Sequence, residues 1–214
     1  MRGPRQSEAS VILSGNAGVA GPNACSGIVD AIMKGHNAGN GRARRILVLA
    51  ASREVPARRL SEEIGAAAAQ AGTSVLQWTL SRGNASVGVV NKRAASLMNC
   101  LTGRCLVEDA ISRRGDQTWE IVNGGLPEGE ESSLWASDAL GQFTSSVSRL
   151  FDLILLSDDG ERSAQNQDAS AGRLAGIVDG VVIVARKGKT RKEDLAQAVA
   201  AVKGLPVLGS VMLE

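Results

Sequence analysis

Residues 44–71 read RRILVLAASREVPARRLSEEIGAAAAQA, an apolar run, a turn and a helical pattern in succession. The run from Ile46 to Ala50 is short and flanked by Arg44, Arg45 and Arg53, which predicts a buried strand rather than half of an amphipathic helix. The helix is expected to begin near Pro56, because proline suits a first turn in which its missing N–H would have no partner. Leu60, Ile64, Ala67 and Ala71 then recur on one face, with Arg59, Glu62, Glu63 and Gln70 elsewhere. A phosphate loop at this place would need glycines that let successive N–H groups turn inward, then a lysine and a serine or threonine. The turn here is Ser52, Arg53, Glu54, Val55, Pro56, Ala57 and Arg58, with neither glycine nor lysine. Glu54 repels polyphosphate, Pro56 withdraws a donor, and Ala57 supplies no charge where the helix begins.

At 214 residues and 22.1 kDa the chain can bury one sizeable core. Its 43% hydrophobic and 21% charged content is that of an ordinary globular protein, and a net charge of +2 is too close to zero to indicate a nucleic-acid footprint by itself, so no nucleic-acid partner is expected. Arg42, Arg44 and Arg45 read as a solvated basic flank. Cys25, Cys100 and Cys105 come with a single histidine and no metal-ligand companions, so the expectation is a reduced cytoplasmic protein without a metal site. No apolar run reaches the length of a membrane-spanning helix, and residues 11–13 give way at once to Ser14 and Gly15, so neither insertion nor a signal peptide is expected.

Residues 1–41 are rich in glycine, asparagine, serine and alanine and read as a flexible arm or a poorly defined first element, with one short helix over residues 25–34 carrying Ile28, Ile32 and Met33. The loop in residues 11–21, VILSGNAGVAG, lacks a Gly-Lys-Ser/Thr ending and reads as linker. Residues 42–214 read as one domain. Strands are expected at 74–78, 119–122, 152–156, 181–185 and 206–213. Helices are expected at 94–101, 107–111, 132–150, the last with Leu140, Phe143, Val147 and Leu150 inward, and at 169–177. A capping pair of Thr190 and Glu193 should start a final helix burying Leu195, Val199 and Val202. Strands alternating with helices imply an α/β fold, a mostly parallel sheet with helices on both faces.

Residues 151–160, FDLILLSDDG, and 173–213, from RLAGIVDGVVIVARKGKT onward, carry a family pattern. They resemble the cytoplasmic ATPase domain of bacterial tyrosine kinases that act with polysaccharide chain-length regulators, relatives of septum-positioning and plasmid-partitioning ATPases. Residues 101–111 and 119–140 follow the family's order of elements, so the resemblance covers about residues 44–214. It implies a P-loop NTPase-like, three-layer fold with its ligand site at the carboxyl ends of the strands. Matched one by one, a phosphate-loop glycine falls on Pro56, the lysine on Ala57 and the magnesium-binding hydroxyl on Arg58. The second acidic motif falls on Thr79 and Ser81, and the aspartate of the magnesium shell on Ser157, followed by Asp158 and Asp159.

No catalytic, cofactor-binding or metal residue is therefore expected, and no cofactor. Arg58 or Arg59 is the candidate to replace the lysine as a cation, while Arg186, Lys187 and Lys189 match the family's nucleotide-side loop. The chain has no tyrosine, which excludes tyrosine autophosphorylation. Trp78 and Trp135 read as packing or interface residues. The resemblance implies an accessory or regulatory pseudoenzyme of exopolysaccharide biosynthesis and export. It would be held at the inner face of the membrane by a chain-length regulator or glycosyltransferase, and could also form a homo-oligomer. An active ATPase or kinase with rearranged ligands, and an interaction module outside polysaccharide synthesis, are the alternatives.

Overall fold

The structure, a computed structural model, describes residues 22–34, 43–79, 97–122, 138–157, 174 and 176–214. Among the described residues the elements follow one another as α1 (Pro22–Met33), β1 (Arg44–Ala50), α2 (Ala57–Gln70), β2 (Val75–Thr79), α3 (Leu97–Leu101), α4 (Val107–Ala110), β3 (Ile111–Arg113), β4 (Thr118–Val122), α5 (Asp138–Val147), β5 (Leu153–Ser157), β6 (Gly180–Arg186), α6 (Lys192–Ala201) and β7 (Val207–Leu213). The strands form one sheet in the order β3-β4-β2-β5-β1-β6-β7. Every pair is parallel except β3 with β4.

The sheet is covered on both faces, which is why β1, β5 and β6 are continuous apolar runs. On one face Ile46, Val48, Ala50, Leu153, Leu155, Val182 and Val184 pack with Ile28 and Ile32 of α1 and Leu60 and Ile64 of α2. On the other, Leu47, Leu49, Trp78, Ile121, Ile154, Leu156 and Ile183 pack with Leu97, Ala110, Leu140, Phe143, Ala198 and Val202 from α3 to α6. Trp78 is fully buried with its ring edge-on to Phe143, 5.7 Å between centroids, so its reading as a packing residue holds. Trp135 lies outside the described residues.

Several elements depart from expectation. Helix α1 is part of the core rather than of an arm: Cys25, Ile28, Val29 and Ile32 are all buried, and they recur every three to four residues. Residues 1–21, with their glycine-rich loop, lie outside the described residues. Arg45 is not a solvated flank. It is 5% exposed and clamps Asp179, its Nε donating to Oδ2 at 3.0 Å and its backbone N–H to the same oxygen at 2.9 Å. This pair ties the first residues of β1 to the entry of β6. Arg44 is half-buried, where desolvation lowers its pKa against the opposing pull of Asp179; Arg42 lies outside the described residues.

Helix α4 stops at Ala110, and Ile111 opens β3 instead of closing the helix. The N-terminal cap of α6 is shifted by one residue from expectation: Asp194, not Glu193, accepts the backbone N–H of the N-cap residue, Arg191, at 3.1 Å. Thr190 instead closes the preceding turn, its hydroxyl accepting the Arg186 N–H at 2.8 Å. The buried side of α6 differs from the expected one: Ala198 and, just past the helix, Val202 are buried while Leu195 is half-buried and Val199 is 49% exposed. Leu150 lies past the end of α5 and is exposed.

Candidate functional site

Strands β1 and β6 are neighbours, yet the helices that follow them lie on opposite faces, α2 with one core cluster and α6 with the other. The chain leaves β1 toward β2 and leaves β6 toward β7, in opposite directions across the sheet. Such a switch point opens a crevice beyond the carboxyl ends of the two strands. A cleft of about 680 Å³ lies there, lined by Ser52, Arg53, Glu54, Lys189, Thr190 and Arg191 among others.

The turn after β1 forms one wall. The Val55 N–H donates to the Ser52 carbonyl at 3.1 Å, and the Ala57 N–H to the Val55 carbonyl at 2.9 Å. Val55 is 2% exposed and packs into the core beside α1 and α2, while Ala57 is fully buried. Pro56 caps α2 without a side-chain hydrogen bond. Two N–H groups that a phosphate nest would aim at a ligand are thus used within the turn, and a third position has none.

The two arginines at the start of α2 are engaged elsewhere. Arg58 Nε donates to Glu62 at 3.0 Å and its Nη2 lies 3.7 Å from Glu120; Arg59 Nε donates to Glu63 at 3.3 Å. Glu120, on β4 and 8% exposed, also binds Arg114. The buried face of α2 is rotated from the expected stripe: Ser61, Gly65 and Ala68 are buried, Ala67 is half-buried and Ala71 exposed. Gln77 of β2 meets this face: its Nε2 donates to the Ser61 carbonyl at 2.9 Å while its Oε1 accepts the Ser61 hydroxyl at 2.9 Å. Gly65 leaves room for that amide, since a Cβ there would stand 2.0 Å from Gln77 Nε2. Sequence reasoning passed over this polar clamp, although a glutamine inside an apolar strand was its visible signal.

The turn after β6 forms the opposite wall. Gly188 adopts φ +71°, a conformation glycine takes without a steric penalty, and Lys189 and Thr190 close the turn through N–H bonds to the Arg186 carbonyl at 3.2 and 2.9 Å. Of the three expected cations, Lys189 reaches across the cleft to Glu54 at 3.7 Å. Arg186 and Lys187 line no part of the cleft, and the Lys187 N–H donates to the Leu213 carbonyl at 2.8 Å. The Ser52 and Thr190 hydroxyls meet at 3.4 Å. The cleft therefore carries both signs of charge: Arg53, Lys189 and Arg191 against Glu54 and Asp194.

Ser157 ends β5 between Val48 of β1 and Thr79 of β2, and is 2% exposed. Ser81, Asp158 and Asp159 lie outside the described residues. Among the described residues there is no cluster of three or more histidine, cysteine, aspartate or glutamate side chains able to hold a metal ion. Nor is any helix among them long and apolar enough to cross a membrane.

Comparison with protein-family models gives no match, and neither does comparison with curated protein sequences. Comparison with solved structures does. The chain is similar to the kinase domain of the Escherichia coli tyrosine kinase ETK, with a TM-score of 0.74, 17% identity, and coverage of 91% of this chain and 75% of that one. It is similar to the BceF tyrosine kinase domain, with a TM-score of 0.67, 19% identity, and coverage of 89% and 74%. It is also similar to MinD in the Aquifex aeolicus MinC:MinD cell division complex, with a TM-score of 0.57, 19% identity, and coverage of 80% and 68%. Together with the parallel sheet, the two helical layers and the cleft at the switch point, these likenesses give the chain a three-layer, P-loop NTPase-like α/β fold, shared with bacterial tyrosine-kinase domains and MinD.

Proposed function

We propose that this protein is a catalytically silent kinase- or ATPase-like domain that regulates exopolysaccharide synthesis and export by binding a protein partner. The observation that carries this reading is the turn after β1, where Val55 is buried in the core and Val55 and Ala57 spend their N–H groups within the turn. Phosphoryl transfer rests on positioning and on stabilising charge at the phosphoryl oxygens, and a closed turn without a lysine does neither. The pairing of Arg58 with Glu62 and Glu120, and of Arg59 with Glu63, supports the same reading, because both arginines at the start of α2 already face carboxylates. So does Ser157 at the end of β5, which offers no carboxylate to magnesium.

The partner is a membrane-embedded chain-length regulator or glycosyltransferase, and through it the domain sits at the inner face of the membrane. This part rests on the sequence resemblance and on the fold shared with tyrosine-kinase domains. Titration calorimetry with magnesium-ATP and with ADP tests the silent site: no saturable heat is expected at millimolar nucleotide. A magnesium-dependent ATPase lost on mutation within residues 52–59 would overturn it. Co-purification from the native membrane fraction tests the partner, with recovery of a chain-length regulator or glycosyltransferase expected.

A further inference from the structure

Away from the cleft, α3 and α4 bring two thiols together. Cys100 lies in the last turn of α3 and Cys105 just before α4, with their sulfur atoms 2.9 Å apart. Both are reduced and both are half-buried against the core cluster that contains Trp78 and Phe143. The loop between them is tight and well bonded: the Gly103 N–H donates to the Cys100 carbonyl at 3.0 Å and the Arg104 N–H to the Asn99 carbonyl at 2.7 Å. Gly103 takes φ +71°, which a side chain would resist, so the loop is built to return Cys105 to Cys100. Thr102, Gly103 and Arg104 are exposed, giving a small reagent a path to the pair.

We propose that Cys100 and Cys105 form a reversible dithiol–disulfide site, oxidised by low-molecular-weight disulfides of the glutathione class. A sulfur–sulfur bond is about 2.05 Å long, so closing it from 2.9 Å moves the sulfurs by under about 1 Å. Burial first, then the hydrogen bond with Cys105 and the nearby Asp109 and Glu108 carboxylates, push the Cys100 thiol up to about 12. The Cys100 thiol also donates to the Leu106 carbonyl at 3.1 Å, which holds its proton within the loop, so the first attack falls to Cys105. The Cys105 thiol loses its proton to solvent, and the thiolate attacks one sulfur of the oxidant, breaking its disulfide and expelling one thiolate. Cys100 then attacks the mixed disulfide at Cys105, giving up its proton as the second thiolate leaves. Each thiolate takes up one of the two protons, so two protein thiols and one external disulfide become one protein disulfide and two external thiols.

The test is incubation of the full chain in buffers of graded reduced-to-oxidised glutathione ratio, with acid quench and peptide mass spectrometry. The expected product is a peptide cross-linked from Cys100 to Cys105, lighter by two hydrogen atoms and restored by reductant. Cys25, 1% exposed, should remain a thiol and serve as the internal reference. Cys100→Ser and Cys105→Ser each remove the cross-link. In Cys100→Ser a glutathione adduct should accumulate at Cys105 to at least about tenfold its level in the natural chain, because the neighbouring thiol no longer displaces it. The proposal is overturned if the natural chain keeps both thiols under oxidising glutathione. It is equally overturned if stable adducts form on both cysteines, or if disulfides form only between chains.

Discussion

The two turns that face each other across the cleft are built on opposite principles. The turn after β1 is closed inward: Val55 is 2% exposed, Ala57 is buried, and their N–H groups bond within the turn. The turn after β6 is closed by polar atoms, with Gly188 at φ +71° and the Thr190 hydroxyl accepting the Arg186 N–H, and its side chains stay at the surface. Both follow doubly covered strands of the same sheet, so the sheet does not dictate the difference. The residues do. A β-branched apolar side chain and a proline make the first turn a plug for the core, whereas glycine, lysine and threonine leave the second open to water. Lys189 and Glu54 then meet across the gap, leaving a cleft that is polar but nearly charge-balanced.

The contrast predicts that the first wall responds to mutation as core and the second as surface. Val55→Asp should destabilise the fold by about 4 kcal/mol in urea unfolding, since it buries an unpaired carboxylate. A loss below about 1 kcal/mol would mean that the turn opens freely, and the comparison would fail. Gly65→Ala should cost about 2 kcal/mol, because its Cβ displaces the Gln77 amide and breaks the bonds to Ser61. Combining it with Gln77→Ala should cost clearly less than the sum of the two single changes, which a double-mutant cycle reads directly.

On the opposite wall the effects shrink. Thr190→Ala should cost about 1 kcal/mol, the value of the lost hydroxyl acceptor for the Arg186 N–H, and Thr190→Ser should restore most of it. Lys189→Ala should change stability by no more than about 0.5 kcal/mol, because it and Glu54 are both more than half exposed at the side chain. A larger effect that fades with salt would reveal a stronger bridge between the walls than the 3.7 Å separation implies.

The doubly covered strands were legible because burial on both faces leaves a continuous apolar run, as in residues 46–50 and 181–185. Helix α1 was under-read because its glycine- and asparagine-rich surroundings suggested an arm, while its apolar spacing recorded the burial of Ile28 and Ile32. Strand β3 was invisible: three residues give no period, and Ile111 extends the helical pattern of α4 as readily as it pairs with Ile121. The cap of α6 was misplaced by one residue because Glu193 and Asp194 are both acidic, and only the path of the turn selects between them. Arg45 was read by its type as surface, since its partner Asp179 is 134 residues away in the chain.

At the residues 44–71 unit, the sequence by itself determined that a strand, a turn without glycine or lysine, and a helix succeed one another, because periodicity and residue chemistry are local properties. It also determined that Pro56 offers no N–H and that Ala57 offers no charge. The tertiary structure decided where Val55 goes, which glutamates hold Arg58, and that Gln77 clamps Ser61 on the buried face of α2. Those outcomes depend on neighbours brought together only when β1, β2 and β4 join one sheet, and no local pattern encodes a contact whose partner lies in another strand.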